Sequence, residues 1–299
     1  MKTGFVSVIG RPNVGKSSIV NALVGEKVAI VSPKPQTTRD KILGIYNDEE
    51  YQIVFADTPG VHEPKTKLGE YMIKSVKSAV TDTDLILMVV SAEHGLQRQD
   101  MELINKYASR NIPMILAYNK MDLLHSEAEA LPELSKLNTD EKKDIFDEII
   151  PTSCRKKTNI DALLAAVKRR MKEGEPVFPQ DEYTDKPLRY LVAETVREKI
   201  LLFLQDEIPH GVQVVVERMT TTEERMEIDA VIVVEKNSHK PIVIGKNGQT
   251  IKRIGIAARE DLERTFGCQV VLKTFVKVVE DWRNRPIQLN DLGYDPKNN

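Results

Sequence analysis

The chain has 299 residues, of which 41% are hydrophobic and 29% charged, and a net charge of −2. That length allows about two domains of roughly 150 residues each, and the composition is that of a globular chain with a core rather than of a disordered or fibrous one. No apolar run reaches the roughly 20 residues of a membrane helix, Cys154 and Cys268 are too far apart in sequence to suggest a disulfide framework or a metal site, and with global charge near neutral any surface for a polyanion must be local.

Met1-Lys2-Thr3 runs directly into strand-like residues, which predicts no secretory leader and a cytoplasmic, reducing setting. From Phe5 to about Met171, short apolar runs alternate with helical stretches. Phe5–Gly10, Ile53–Asp57, Leu85–Val90 and Met114–Asn119 read as buried parallel strands. Lys16–Val24, Leu68–Val80, Gln97–Ala108 and Ile160–Arg170 read as the helices between them. This alternation predicts an α/β domain over 1–175, a mostly parallel sheet with helices on both faces and ligands beyond the carboxyl ends of the strands. Residues 176–187 are proline-rich and acidic and read as a linker. Residues 188–282 follow a different order, α-β-β-α-α-β, which predicts a smaller α+β domain. A polar tail, 283–299, is expected to be loosely ordered at its end.

Gly10-Arg11-Pro12-Asn13-Val14-Gly15-Lys16-Ser17 follows a predicted strand and opens a predicted helix, the context that a phosphate-binding loop requires. Glycines let backbone N–H groups curl around a β-phosphate, and the amides of the helix start add a favourable dipole. Lys16 is placed to reach the β- and γ-oxygens, and the Ser17 hydroxyl to ligate Mg²⁺. Asp57-Thr58-Pro59-Gly60 closes a strand, where the carboxylate can hold Mg²⁺ through water and the Gly60 N–H can meet a γ-phosphate. Between the first helix and the second strand, Thr37 and Thr38 are candidates to complete the Mg²⁺ shell, with Thr38 preferred. Asn119-Lys120-Met121-Asp122 selects the base. A carboxylate at Asp122 accepts from the two adjacent donors of guanine, which adenine lacks, and Lys120 can lay its aliphatic stem along the ring. In Thr152-Ser153-Cys154, Ser153 is expected to brace Asp122 and the Cys154 N–H to face the guanine O6. Val61 occupies the position of the water-orienting glutamine of Ras-type GTPases and has no polar group, so unassisted hydrolysis should be slow. Asn13 offers an amide oxygen to a monovalent cation beside the phosphates, or else shapes the loop.

In the second domain, Val243-Ile244-Gly245-Lys246-Asn247-Gly248-Gln249-Thr250-Ile251 places two glycines around Lys246 and Asn247 at a helix–helix junction. Such a loop lets a nucleic-acid backbone approach, and KH modules clamp about four nucleotides in this way. From Lys236 to Arg259 the charged residues are all basic: Lys236, Lys240, Lys246, Lys252, Arg253 and Arg259. The expected RNA-binding residues are Ile244, Gly245, Lys246, Asn247, Gly248, Lys252 and Arg253.

With these motifs the chain resembles, over essentially its whole length, the Era family of bacterial ribosome-assembly GTPases: a Ras-like P-loop NTPase domain followed by a type II KH domain. The resemblance implies GTP and GDP binding through Gly10 to Ser18 (Gly10, Arg11, Pro12, Asn13, Val14, Gly15, Lys16, Ser17, Ser18), Asp57, Thr58, Pro59, Gly60, Asn119, Lys120, Asp122, Ser153 and Cys154. It also implies hydrolysis aided by Lys16, Thr38, Gly60 and Asn13, and Mg²⁺ held by Ser17, Thr38 and Asp57. Relatives with the Asn13 asparagine use K⁺. It further implies binding near the 3′ end of 16S ribosomal RNA, maturation of the 30S subunit, peripheral association with the inner membrane face, and a monomer. Ser-Cys in the base loop departs from the commoner Ser-Ala, which matters little where the contact comes from backbone. Two other readings compete: a KH-type RNA chaperone whose nucleotide domain senses GTP without turnover, and a tRNA-modification partner. The carboxyl-terminal KH pattern and the lack of a cofactor-binding segment weigh against the second.

Overall fold

A computed structural model describes residues 1–60, 64, 66–110, 112–135, 137, 145–205, 208–222 and 224–294. Val61 therefore lies outside the described residues. By packing, the chain forms two units.

The first unit comprises Met1–Ala29, Thr38–His62 and Ile73–Asp185. Its elements are β1 (Lys2–Ile9), α1 (Lys16–Val24), β2 (Ile42–Asn47), β3 (Tyr51–Asp57), the end of α2 (Lys67–Thr81), β4 (Leu85–Ser91), α3 (Arg98–Ala108), β5 (Met114–Asn119), α4 (Leu131–Ser135), β6 (Glu148–Pro151), α5 (Ile160–Lys168) and the short β7 (Lys172–Glu173). The sheet order is β2-β3-β1-β4-β5-β6, with β7 paired to β1. All pairings are parallel except β2 with β3 and β7 with β1. The side-chain period of two divides the apolar runs between two cores. Val6, Val8, Phe55, Leu87, Val89 and Ile115 pack under α1 and α5. Ile86, Met88, Val90, Leu116 and Tyr118 pack against Leu103, Ile104 and Tyr107 of α3. Burial on both faces is why these strands are continuous hydrophobic runs rather than alternating ones.

The segment read as a linker is bonded to this unit. The side-chain oxygen of Gln52 accepts from the amides of Val177 (2.6 Å) and Phe178 (3.0 Å), and its amide donates to the Phe178 carbonyl. The Ile45 N–H donates to the Tyr183 carbonyl (2.9 Å), and the Leu43 N–H to the Asp185 carboxylate (2.9 Å). Residues 182–185 thus lie along the outer edge of β2, and Val177 and Phe178 are held by Gln52 of β3. The reason is edge chemistry: a terminal strand carries a row of unpaired amides that some acceptor must satisfy.

The second unit comprises Lys186–Asn299 with the segments Ile30–Thr37 and Glu63–Met72. It holds α6 (Leu188–Phe203), β8 (Val212–Thr221), β9 (Arg225–Val234), α7 (His239–Ile244), α8 (Gln249–Phe266), β10 (Gln269–Val278) and α9 (Pro286–Asp291). The sheet order is β10-β9-β8, with β9 parallel to β10 and antiparallel to β8. Val192, Val196 and Ile200 of α6 and Ile254, Ala258 and Leu262 of α8 cover one face of the sheet. The segment Ile30–Thr37 joins this unit because Arg197 donates to the Thr37 carbonyl and Glu198 accepts from the Val31 N–H (2.9 Å).

The tail is packed as far as Tyr294; its end, residues 295–299, expected to be loosely ordered, lies outside the described residues. Leu289 and Tyr294 close over Trp282, Val231 and Val233 on the second face of the sheet, together with Leu68, Tyr71 and Met72. Tyr294 stacks on Trp282 at 6.1 Å, and its hydroxyl donates to Gln213 (2.9 Å). Trp282 is fully buried, is the only tryptophan of the chain, and donates to the Gly211 carbonyl (3.0 Å). Tyr294→Ala removes a buried aromatic and leaves a cavity, at a cost of about 3 kcal/mol. Urea unfolding followed by Trp282 fluorescence should show a correspondingly lower midpoint. An unchanged midpoint would mean that the tail adds nothing to the fold.

Candidate functional site

The phosphate loop hangs between β1 and α1, and its shape is set by close approach. A Cβ on Gly10 would lie 2.3 Å from the Val89 carbonyl oxygen, so only glycine passes there. Gly15 has φ +99°, in the region that favours glycine, and a Cβ on it would fall 2.2 Å from the Asn119 amide nitrogen. In that space Asn119 donates to the Val14 carbonyl (2.9 Å). Asn119, expected to sit in the base motif, therefore also braces the phosphate loop. Asn13 has φ +63°, unusual for a residue with a side chain.

Lys16 is buried, and its ammonium donates to the carbonyls of Gly10 (3.1 Å) and Arg11 (3.0 Å). Burial lowers its pKa to about 8, against the pull of Asp57 in the other direction. Asp57 is fully buried. Burial raises its carboxyl above the ordinary range, against Lys16, the hydroxyls of Ser17 and Thr38, and the Thr58 N–H. In both groups desolvation outweighs the favourable neighbours. These are the shifts of groups that gain from an added opposite charge: an anion at Lys16 and a cation at Asp57.

Three of the expected residues converge. The Ser17 hydroxyl donates to Asp57 Oδ2 (2.6 Å) and lies 2.8 Å from the Thr38 hydroxyl, which is itself 3.4 Å from the same carboxylate oxygen. Asp57 Oδ1 is buried with no hydrogen-bond partner among the described residues. Thr37 is committed elsewhere, its hydroxyl donating to the Lys34 carbonyl (2.6 Å) and lying 2.9 Å from Ser32. The Thr58 hydroxyl donates to the Val8 carbonyl (2.7 Å), which anchors the end of β3 to β1. Gly60 lies against Pro12, where a Cβ would come within 2.7 Å of the ring and its backbone.

In the loop after β6, the Ser153 hydroxyl donates to Asp122 (2.6 Å), the brace that the sequence suggests. The Thr152 hydroxyl and the Cys154 thiol both reach the Asn119 side-chain oxygen, at 3.4 and 3.6 Å. Burial and the Asp122 charge push the Cys154 thiol up to about 12, so it is a weak donor rather than a nucleophile. Lys120 has φ +65°, and its ammonium donates to Glu93 (2.8 Å). This bond and the ammonium charge hold the Glu93 carboxyl below its usual range. Arg11 makes an ion pair with Asp100 (2.7 Å). Neither Glu93 nor Asp100 was singled out from the sequence. Asp100 had one local signal, its place three residues after Gln97 at a helix start.

In the second unit, α7 ends at Ile244 and α8 begins at Gln249. Gly245 (φ +76°), Asn247 (φ +52°) and Gly248 (φ +74°) all have positive φ. A Cβ on Gly245 would fall 2.1 Å from the Thr250 hydroxyl and 2.8 Å from its backbone nitrogen, whereas Gly248 faces open space. Lys246, Asn247, Lys252 and Arg253 are exposed. The loop and the first turn of α8 thus present two basic side chains beside amides at a helix start. Arg253 stacks over Phe203 at 5.0 Å, an aromatic partner that the sequence analysis missed.

Comparison with known proteins agrees with this geometry. The family model described as "50S ribosome-binding GTPase" matches residues 5–120, and the model described as "KH domain" matches residues 207–283. The chain is 47% identical to GTPase Era of Clostridioides difficile (strain 630), over 99% of both chains. It is 43% identical to GTPase Era of Clostridium acetobutylicum, over 98% of both. Among solved structures it is similar to Era in complex with MgGDPNP and nucleotides 1506–1542 of 16S ribosomal RNA, with TM-score 0.92 and 39% identity over 98% of this chain and 99% of that one. It is also similar to a variant of Aquifex aeolicus Era bound to GDP and AlF4−, with TM-score 0.93 and 40% identity over the same shares. On full-length identity and on both domain models, the chain belongs to the Era family of GTPases.

Proposed function

We propose that this chain is a Mg²⁺-dependent GTP switch that hydrolyses GTP to GDP and phosphate. Its KH domain holds single-stranded RNA near the 3′ end of 16S ribosomal RNA during 30S maturation. The observation that carries the reading is the meeting of Ser17, Thr38 and Asp57 beside the buried Lys16. The ligands present in the similar Era complex, MgGDPNP and a 16S RNA segment, support it. The chain acts as a monomer, in the cytoplasm or peripherally at the inner membrane face. No helix among the described residues is long and apolar enough to cross a membrane.

Two hydroxyls and a carboxylate are hard oxygen donors, and the unpartnered Asp57 Oδ1 adds an acceptor, so the residues fit Mg²⁺. Bound there, the ion would neutralise charge on the β- and γ-oxygens. Ser17 and Thr38 offer hydroxyls to it, and Asp57 its carboxylate. Lys16 meets the phosphates, with the backbone of residues 10–18 around them. The Gly60 N–H faces the γ-phosphate. Asp122 pairs with the two guanine donors, Lys120 lies along the base, and the Cys154 N–H faces O6. Asn13 offers its oxygen to K⁺, which would supply positive charge between the phosphates. Ile244–Gly248 with Lys252 and Arg253 clamps the RNA backbone.

Asp122→Asn should abolish the preference for GTP and admit xanthosine triphosphate, whose O2 accepts from the new amide. Competition binding with both nucleotides reads this, and unchanged discrimination would remove Asp122 from the base site. Replacing both Lys246 and Asn247 by Asp should weaken binding to the 3′-terminal 16S segment and leave nucleotide affinity intact. Each lost phosphate contact should flatten the salt dependence by roughly 0.7 in slope. Normal RNA binding by that variant would defeat the KH assignment. GTP turnover in K⁺ should exceed that in Na⁺ at equal ionic strength, and Asn13→Ala should erase the difference. A wild type indifferent to K⁺, or an Asn13→Ala variant that keeps the preference, would defeat the cation role.

A further inference from the structure

The stretch from the end of β4 through the first turn of α3 makes two long-range ion pairs that no known role of the chain explains. Glu93, in the turn Ala92–His94, takes the ammonium of Lys120 at 2.8 Å. Asp100, in the first turn of α3, takes the guanidinium Nε of Arg11 at 2.7 Å. One short stretch of chain therefore grips both ends of the nucleotide pocket: the base loop at Lys120 and the phosphate loop at Arg11.

The stretch is itself anchored. Ser91 lies opposite Asn119 in the β4–β5 register, and its hydroxyl accepts from the Glu93 N–H at 3.4 Å. Asp100 is 1% exposed, and its second oxygen accepts from the Gln97 N–H at 2.9 Å. Its position is thus fixed by the start of α3 before Arg11 arrives. The Arg11 carbonyl in turn accepts from Lys16, and Pro12 rests on Gly60. Displacing Arg11 would move the carbonyl that holds the phosphate-binding ammonium. Lys120 sits at φ +65°, a conformation that a lysine holds when its surroundings favour it, and the bond to Glu93 is one such contact.

We propose that Ser91–Asp100 is a brace for the nucleotide pocket. Asp100 is the positioning residue of the phosphate loop, acting through Arg11, and Glu93 is the positioning residue of the guanine loop, acting through Lys120. The brace rests on the GTPase reading of the site. It places the side chain of Arg11 in an ion pair rather than on the γ-phosphate, so Arg11 is not an internal arginine finger.

The test is a pair of double-mutant cycles on the full chain, read as GDP and GTP dissociation constants and as single-turnover hydrolysis. Asp100→Asn keeps shape and an acceptor for Gln97 but loses the ionic bond, and should weaken GDP and GTP by about tenfold. In an Arg11→Met background the same substitution should have no further effect. Glu93→Gln breaks a half-exposed pair and should weaken both nucleotides by about threefold. That effect should vanish in a Lys120→Met background, which keeps the aliphatic stem. Effects that persist undiminished in those backgrounds, or single variants without effect, overturn the brace. Coupling in one pair alone overturns its two-ended form. Should Asp100→Asn fail to fold, the pair is read from the other side: Arg11→Lys keeps a charge for Asp100 and should cost less than Arg11→Met, and equal losses overturn the role of Asp100. Wild-type protein measured alongside separates the two levels. If it neither binds GDP nor turns over GTP, the GTPase reading itself fails; if it does both while the variants match it, only the brace fails.

Discussion

The pocket depends on one hydrogen bond, from the Asn119 amide to the Val14 carbonyl, made across the space that Gly15 leaves open. It ties the end of β5 to the loop between β1 and α1. Two motifs far apart in sequence thereby become one rigid object. Everything else is registered to it. Asn119 also receives Thr152 and Cys154, which bring the loop after β6 to the base end. Ser153 in that loop fixes Asp122. Strand pairing from β3 through β6 holds the four loops at one edge of the sheet. A side chain at Gly15 would break the chain of contacts at its first link.

The electrostatics of the site follow from its burial. Lys16 and Asp57 are both withdrawn from water, and desolvation wins over their mutual attraction in each case. Such groups favour ligands of opposite charge over their own neutral forms. A triphosphate and a divalent cation supply both charges together, which is why nucleotide and metal are expected to bind as one. The KH loop works the other way. Its basic side chains are exposed and its glycines keep the backbone open, so an anion held there would be screened by salt far more than one held at the buried site.

Much of this was legible in the sequence because its signals are local. Phe5–Gly10 and Met114–Asn119 are continuous apolar runs, and a strand buried on both faces leaves that mark. Gly10–Ser17 and Gly245–Gly248 carry glycines where the backbone leaves the ordinary regions, and glycine is hard to replace there. Of the two threonines weighed in the sequence, Thr38 lies beside Ser17 and Thr37 turns inward to Lys34, a difference no local pattern announces. What escaped was long-range and polar. The Arg11–Asp100 pair spans 89 residues, and Lys120–Glu93 spans 27. No periodicity announces such pairs. Residues 176–187 read as a linker because proline and acidic residues signal a loop. Their attachment runs through backbone groups and the side chains of Gln52, Asn47 and Asp185, which composition does not reveal. The packing of 283–294 was not legible for a similar reason: Leu289 and Tyr294 are too sparse to suggest a core by themselves, yet they complete one around Trp282.

The strip of chain lying along β2 also has a meaning for self-association. An open sheet recruits further strands at whichever edge is bare, and here the bare edge would present the amides of Leu43 and Ile45. Residues 182–185 act as a selvedge: they are too irregular to template another strand, and they occupy the donors of Leu43 and Ile45 that would. A GTPase domain excised at the end of β7 would keep every nucleotide motif and lose this border. Its hazard would then lie in sticking to copies of itself rather than in any defect around Lys16, whereas a piece carried on to Asp185 would keep the border.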